Sequence, residues 1–448
     1  MITALSNVLS LGSFLALIAV GLLPVARRHT AARLICIAAA LLLLVIRTSH
    51  FVFLVNGPYS IDLEIFRAAG RAVLTGANPY DPSPEIKMVS PPTALPLFTG
   101  LALLPGKWAA ILLGVVNIIG AFALVPLSWI ALGGRKGPAK EISWIELAVI
   151  GIAVGVSDSA ITNQNLGQLS VIIALAVVGA FALEISGRAF SAGVALALAT
   201  IKVTTLIPIL TIVPDKRRIE PRLVAGLIVG VVILSVAVVH PSRVLLLYVA
   251  DLQKIHQLTS AGEVNDYTFS GPETGNIISL RHAFYRVGIV NGNILAIVDG
   301  LLLSFAGASL MWASWRGKLP RAGLLALVCL YSVVFIYHRA YDLVLLALPL
   351  VYAFALISEN VGTVRRLAYG SMLSMVLALY LRAVGMSAIS RQWHESSWPV
   401  RALIMPSITW LILAAASMLF FAIAISDGAG QICEPGLSKS NAGKARSV

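Results

Sequence analysis

Charged residues are scarce in this chain of 448 residues. They make up 12% of it, roughly half the share of a typical soluble domain. Cysteine is also rare, with three residues in all, so we expect neither a disulfide framework nor a paired-cysteine metal site. The sequence contains no phosphate-binding P-loop and no metal-ligand spacing. These absences argue against a soluble nucleotide-binding enzyme and against a metal or other cofactor.

Hydrophobic residues, in contrast, make up 58% of the chain. They form repeated apolar runs of about 16 to 25 residues, which are typical of transmembrane helices, whereas a β-barrel would show short alternating segments. We therefore predict an all-α polytopic membrane protein, with residues 1–426 forming a single transmembrane domain of about 12 helices. The predicted spans are 9–26, 33–55, 107–132, 142–157, 168–184, 190–212, 222–239, 292–313, 321–337, 341–358, 367–386 and 404–426.

The net charge of +13 lies mainly in short loops between apolar runs, as the positive-inside rule predicts for cytoplasmic loops. We therefore interpret the basicity as membrane topology and expect no nucleic-acid partner. This orientation places three long loops outside, at 56–106, 240–291 and 387–403, and it predicts a disordered cytoplasmic tail at 427–448.

One part of this topology is inconsistent. Three apolar segments lie between the basic loops at 135–140 and 214–222, and an odd number of crossings cannot return the chain to the same side. We prefer the interpretation that one of them crosses only partway, which is tolerated where a helix lines a polar cavity. The alternative is that 91–104 crosses and 135–140 lies outside.

The first outer loop has an amphipathic pattern. Residues 63–74 have helical periodicity with a basic polar face, and Ser90-Pro91-Pro92 opens a second short apolar segment. We predict two interfacial helices joined by a proline turn. Asp62 precedes the first of them and is either its N-cap or, if Ser60 provides the cap, available for chemistry.

A series of residues and short motifs follows in order along the chain: Asp62, Phe66, Ala68, Ala69, Gly76, Pro79, Tyr80, Asp81, Pro91, Pro92, the segment Asn165-Leu166-Gly167-Gln168, Gly193, Lys202 and Pro208. In their order and spacing they resemble glycosyltransferase family 87, whose members transfer mannose or arabinose from polyprenyl phosphates and have the GT-C fold. The resemblance extends over residues 50–410, although Phe66 and Ser90 stand where the family often has tyrosine.

The resemblance implies a GT-C-type helical bundle with Asp62 as the catalytic base. A polyprenyl phosphate is a good leaving group, so one carboxylate suffices and transfer should invert the anomeric centre, unlike hydrolysis by a glycosidase carboxyl pair. Glu64 and Asp81 are the runners-up for this role. The donor would be a polyprenyl-phosphate-linked sugar and the acceptor a glycolipid or polysaccharide, at the extracytoplasmic face of the cell membrane.

The departing phosphate requires fixed positive charge, and the outer side offers His338, Arg339, Arg281 and the intramembrane Lys202. An alternative is that His338 and Arg339 only reach the interface, with Asp342 paired to Arg339. Further candidates for substrate contacts are aromatic, amide and imidazole side chains, although the outer loops could equally be polar lids and the tryptophan-rich segment around 394 an interfacial belt. They are Tyr80, Gln168, Asn265, Tyr267 and His394.

Two other functions fit the same composition. A transporter or flippase for a lipid or glycolipid would use Lys202 and Asp299 along its pathway, but we find no internal repeat of the kind common in such folds. The other is a non-enzymatic assembly subunit.

Overall fold

The computed structural model describes residues 11–56, 61–81, 88, 90–212, 221–236, 241–257, 277–335, 338–381, 402–403 and 406–428. Helix dominates these residues, with short 3-10 segments at Pro92–Ala94, Gly134–Lys136, Thr200–Lys202 and Ala340–Leu346. The helices are α1 (Leu11–Gly21), α2 (Leu23–Ala26), α3 (Thr30–Asn56), α4 (Ile61–Thr75), α5 (Leu95–Leu103), α6 (Gly106–Ala131), α7 (Trp144–Gly155), α8 (Asp158–Leu166), α9 (Ser170–Ile185), α10 (Ala189–Ala199), α11 (Val203–Ile212), α12 (Pro221–Val236), α13 (Pro241–Gln257), α14 (Leu280–Val287), α15 (Gly292–Arg316), α16 (Arg321–Val334), α17 (Ala347–Glu359), α18 (Gly362–Tyr380) and α19 (Ser407–Gly428).

The prediction of an all-α polytopic membrane protein is confirmed. Within the described residues, five helices are long and apolar enough to span a membrane, or six if α7 and α8, which meet at 48°, form one broken span. Two-residue strands, β1 (Ile277–Ile278) and β2 (His338–Arg339), form an antiparallel pair. The number of about 12 spans, their grouping in one domain and the position of the loops relative to the membrane remain predictions.

The span predicted at 190–212 is not one helix. It breaks at the 3-10 segment Thr200–Lys202, which separates α10 from α11. The polar run that follows α7 forms its own helix, α8, most of which is buried. Both breaks need polar surroundings for their free backbone groups. Whether one of the segments between 142 and 212 crosses the membrane only partway remains a prediction.

The two short helices predicted in the first loop are present as α4 and α5. Phe66 of α4 stacks on Phe98 of α5, with ring centroids 4.4 Å apart. Gly76 adopts the left-handed conformation after α4, at φ 73°, which is typical of the residue that follows a helix. Helix α4 begins at Ile61 instead of residue 63, so Asp62 lies inside the first turn of the helix.

Helices α9 and α16 both run between two ends of the bundle, and these ends carry different residues. Glu184, near the end of α9, pairs with Arg321 at the start of α16, with 2.6 Å between the nitrogen and the carboxylate oxygen. At the other end of the same two helices, Ser170 begins α9 and His338 follows α16. We call the first the basic end, because the loop with Arg135 and Lys136 begins at Gly133, beside Ile185 of α9. We call the second the polar end.

Candidate functional site

Asp62 is held at the polar end by a residue from a distant helix connection. The amide Nε2 of Gln168 donates a hydrogen bond to Asp62 Oδ2 over 2.5 Å. The Asp62 side chain is half-buried, and this contact joins the first loop to the connection between α8 and α9. The structure therefore brings together two residues that the family resemblance singled out separately.

The connection that carries Gln168 is fixed by its own backbone contacts. Gly167, at φ 67°, ends α8 in the left-handed conformation, which glycine adopts without steric strain. The Gln168 N–H then donates to the Asn163 carbonyl over 2.8 Å, and its carbonyl accepts from Asn117 Nδ2 over 3.0 Å. The Ser170 N–H donates to Asn163 Oδ1 over 3.1 Å. These contacts position Gln168 independently of Asp62.

Two residues beyond Gln168, Ser170 joins a second cluster centred on the Asp342 carboxylate. Asp342 is buried in the first turn of the 3-10 segment Ala340–Leu346. Lys202 Nζ lies 2.5 Å from both of its oxygens, and Ser170 Oγ donates to Oδ1 over 2.6 Å. On Oδ2 it accepts from the Arg339 backbone N–H over 3.1 Å and contacts His338 Nδ1 at 3.0 Å.

This arrangement corrects the pairing expected for Asp342. The interfacial interpretation pairs its carboxylate with the Arg339 side chain, whereas the recorded contact from Arg339 is its backbone N–H and the countercharge is Lys202. Lys202 stands at the break between α10 and α11, where its ammonium also lies 5.2 Å from the centre of the Tyr341 ring. A lysine inside an apolar segment is costly without such a partner.

A narrow, partly open cavity of about 10 Å³ adjoins this cluster and is lined by Lys202, Ser170, Thr205, His338 and Asp342. His338 is 1% exposed, and burial lowers its pKa, so the imidazole favours the neutral form. With Nδ1–H donated to the carboxylate, Nε2 is the hydrogen-bond acceptor. Among the described residues, Nε2 has no hydrogen-bond partner, which leaves it able to accept from a hydroxyl group.

The β1–β2 pair brings the start of α14 to the same end, since Ile278 lies opposite His338 and Ile277 opposite Arg339. Arg281 is not part of the Asp342 cluster, because it pairs with Asp299 over 3.4 Å.

Beside Arg281, His282 is completely buried, and its Nδ1 lies 3.2 Å from the Ile277 carbonyl. Burial, followed by the charge of Arg286, lowers the pKa of His282 to about 3. The buried imidazole of His282 in α14 is therefore neutral.

The runners-up for the base occupy other surroundings. Glu64 pairs with Arg67 over 2.7 Å, and Arg67 also donates to the Leu101 and Leu104 carbonyls at the end of α5. Glu64 thus belongs to the packing of α4 against α5. Asp81 is exposed beyond the turn.

Tyr80 is 4% exposed, and its ring lies 5.3 Å from that of Tyr248, so little of the ring surface is open to a sugar. Burial raises the pKa of the Tyr80 hydroxyl. The remaining candidates, Asn265, Tyr267 and His394, lie outside the described residues.

Sequence reasoning did not identify Ser170, Asn163 or Asn117 as parts of the site. The available signal was the polar run at 158–170, which interrupts a sequence of apolar segments.

Asp299 and Lys202, proposed above as one transport pathway, have separate partners, Arg281 and Asp342.

The apolar bundle with buried polar clusters at one end defines a multi-pass membrane protein with a protected polar site. Residues 89–338 match the model of glycosyltransferase family 87, over more than half of the chain. The chain therefore belongs to glycosyltransferase family 87 and is a membrane glycosyltransferase. No curated protein and no solved structure shows a significant match. The matched segment contains Gln168, Lys202, Arg281 and His338, and it begins after Asp62.

Proposed function

We propose that this protein transfers mannose or arabinose from a polyprenyl-phosphate donor to a glycolipid or polysaccharide acceptor, at the extracytoplasmic face of the cell membrane. The observation that carries the proposal is the hydrogen bond between Asp62 and Gln168. It supports the role that the family resemblance implies for Asp62, because the residue that holds this carboxylate belongs to the matched segment and stands two positions before Ser170, which lines the cavity.

In the proposed reaction Asp62 accepts the proton of the acceptor hydroxyl as its oxygen attacks the anomeric carbon of the sugar. The new bond forms on the face opposite the phosphate, the carbon–oxygen bond to the phosphate breaks, and the polyprenyl phosphate leaves with the electron pair. Inversion follows from this single displacement. Gln168 would orient the carboxylate toward the acceptor, because a general base must reach the proton within hydrogen-bonding distance.

The donor phosphate would be bound by Arg339 and Lys202, with Arg281 contributing from α14. His338 was predicted to join them, but its Nε2 is an acceptor, so it would instead contact a hydroxyl group of the substrate. Lys202 already has Asp342 as its counter-ion, so the cluster adds little net charge on its own. The phosphate would be recognised mainly through directed donors, which is how preorganised sites stabilise developing charge. Arg339 provides the forked guanidinium that suits phosphate oxygens.

The arrangement of the two ends supports the extracytoplasmic side. Helices α9 and α16 connect the Asp342 cluster at the polar end to the Glu184–Arg321 pair at the basic end. Because basic loops favour the cytoplasmic face, the polar end would face the opposite side.

The decisive experiment compares Asp62→Asn with Glu64→Gln in purified, full-length protein. The proteins are incubated with a panel of polyprenyl-phosphate sugars and acceptor glycolipid, and products are identified by mass spectrometry. We expect Asp62→Asn to lower transfer by roughly 100-fold or more, the typical contribution of general acid–base catalysis, with donor binding retained. Glu64→Gln should retain most of the activity.

Near-normal transfer by Asp62→Asn would show that the base is another group. Transfer from a nucleotide sugar, with none from any polyprenyl-phosphate sugar, would overturn the donor class.

A further inference from the structure

A second cavity lies at the basic end, away from the polar site. It is a partly open space of about 110 Å³ between α2, α3 and α7. Its lining combines two arginines, Arg27 and Arg33, with apolar side chains that include Ile37, Ile145 and Val149. Glu146 also lines it, so the formal charge of these titratable groups is one unit positive.

The two arginines are held differently. Arg27 donates through Nε and Nη2 to Glu146, over 2.6 and 3.0 Å, and through Nη2 to the Glu141 carbonyl over 2.8 Å. Its guanidinium also lies 5.3 Å from the centre of the Phe354 ring. These contacts fix the group in place, and within the described residues none of them uses Nη1.

Arg33, in the first turns of α3, is exposed, and no ion pair or hydrogen bond involves its side chain in the described part of the chain. It therefore adds a second guanidinium at the mouth of the cavity. Two neighbouring guanidinium groups suit the oxygens of one phosphate, since each offers a planar fork of donors.

The surface around the cavity is apolar. Leu34, Trp144 and Ile145 beside it are all exposed to the extent of 46% or more, which is the character of a surface that faces lipid tails. An occupant must therefore combine an anionic head with a hydrocarbon chain. A free phosphate ion would leave the apolar wall formed by Ile37, Ile145 and Val149 without a partner.

We infer that this cavity binds an anionic membrane phospholipid, with its phosphate on Arg33 and Arg27 and one acyl chain along Ile37, Ile145 and Val149. Basic pockets between membrane helices on the cytoplasmic side recognise such headgroups in general. The inference does not depend on the proposed transfer reaction, because the cavity and the polar site lie at opposite ends of the bundle.

The test is native mass spectrometry of the full-length protein after exchange into phosphatidylglycerol, with phosphatidylcholine and inorganic phosphate as separate arms. Arg33→Ala removes the exposed cation. Ile37→Trp replaces a half-buried side chain of the cavity wall with a larger one, which would occupy the space of the acyl chain. Each should lower phosphatidylglycerol retention at least fivefold. The matched control, Arg366→Ala, removes an exposed arginine that does not line the cavity and should leave retention unchanged. Arg33→Lys should retain an intermediate level, because it keeps the charge without the fork.

Equal retention of phosphatidylglycerol by the parent protein, Arg33→Ala and Ile37→Trp would overturn the inference. So would retention of phosphatidylcholine at the same level as phosphatidylglycerol, or equal thermal stabilisation by inorganic phosphate and by the lipid. Thermal unfolding of each variant confirms that it is folded before its lipid retention is compared.

Discussion

The two ends of this bundle differ in how their charged groups are paired. At the polar end, the buried carboxylate of Asp342 contacts Lys202, the Ser170 hydroxyl, His338 and a backbone N–H. At the basic end, Glu146 holds Arg27, while Arg33 remains exposed without an ion pair among the described residues.

The difference follows from what surrounds the charges. An unpaired charge in an apolar interior is very costly, so the polar end can hold a lysine inside an apolar segment only with a matched carboxylate. At the basic end Arg33 is exposed, and an exposed cation costs little. The charges of the Lys202–Asp342 pair thus cancel, whereas the basic end retains net positive charge.

The largest predicted effect comes from removing the carboxylate at each end. Asp342→Ala leaves the half-buried ammonium of Lys202 without its countercharge, and breaking a pair whose carboxylate is buried costs up to about 3–5 kcal/mol of unfolding free energy. Glu146→Ala removes a partly exposed pair and the capping box of α7, which together should cost about 1–2 kcal/mol. Thermal unfolding in detergent measures both, and equal losses would contradict the contrast.

The sequence predicts many of the helices and loops at the two ends, but it does not predict the contact between Lys202 and Asp342. The apolar spans, the two short helices α4 and α5 and the basic loops all follow from periodicity and charge. The Lys202–Asp342 pair joins residues separated by 140 positions, and it forms only because the break after α10 and the 3-10 segment before α17 meet.

The pairing of Asp342 with Arg339 was only an alternative interpretation of the sequence, and the structure instead pairs the Asp342 carboxylate with Lys202 and with the Arg339 backbone N–H. The signal was present in a weaker form, since an intramembrane lysine calls for an acidic partner.

The second prediction sharpens the role of Gln168 at the polar end. Gln168→Ala removes the donor to Asp62 while keeping the backbone contacts of the α8–α9 connection. A hydrogen bond to a charged group contributes about 1.5–3 kcal/mol, so transfer should fall roughly 10- to 100-fold through kcat, with the donor KM little changed.

Gln164→Ala, which removes another buried amide of α8, is the control and should retain kcat. A rise in the donor KM with normal kcat in Gln168→Ala would show that Gln168 contacts the donor instead of positioning Asp62.

The third prediction concerns how closely α4 and α5 pack beneath Asp62. A Cβ at Gly70 would lie within 2.2 Å of the Phe98 carbonyl oxygen, a backbone atom that moves only with its helix. Gly70→Ala should therefore cost about 1–3 kcal/mol of stability, as overpacking commonly does, and should lower transfer by displacing α4.

Gly100→Ala is the matched control on α5, because nothing lies within 4 Å of its Cβ. Thermal unfolding of the two variants separates a packing effect from the general effect of adding a methyl group. Equal stability of the two would mean that α4 and α5 can separate without cost.

The last prediction distinguishes a buried histidine at the polar end from an exposed one at the basic end. The folded protein keeps His282 neutral down to a pKa of about 3, whereas the unfolded chain protonates near pH 6.5. Between these values the unfolded state binds an extra proton, so the unfolding free energy should fall by about 1.4 kcal/mol for each unit that the pH decreases. His282→Gln should flatten this dependence between pH 6 and 4, and the exposed control His29→Gln should not. If both variants retain the parent slope, another group is responsible for the acid sensitivity of the fold.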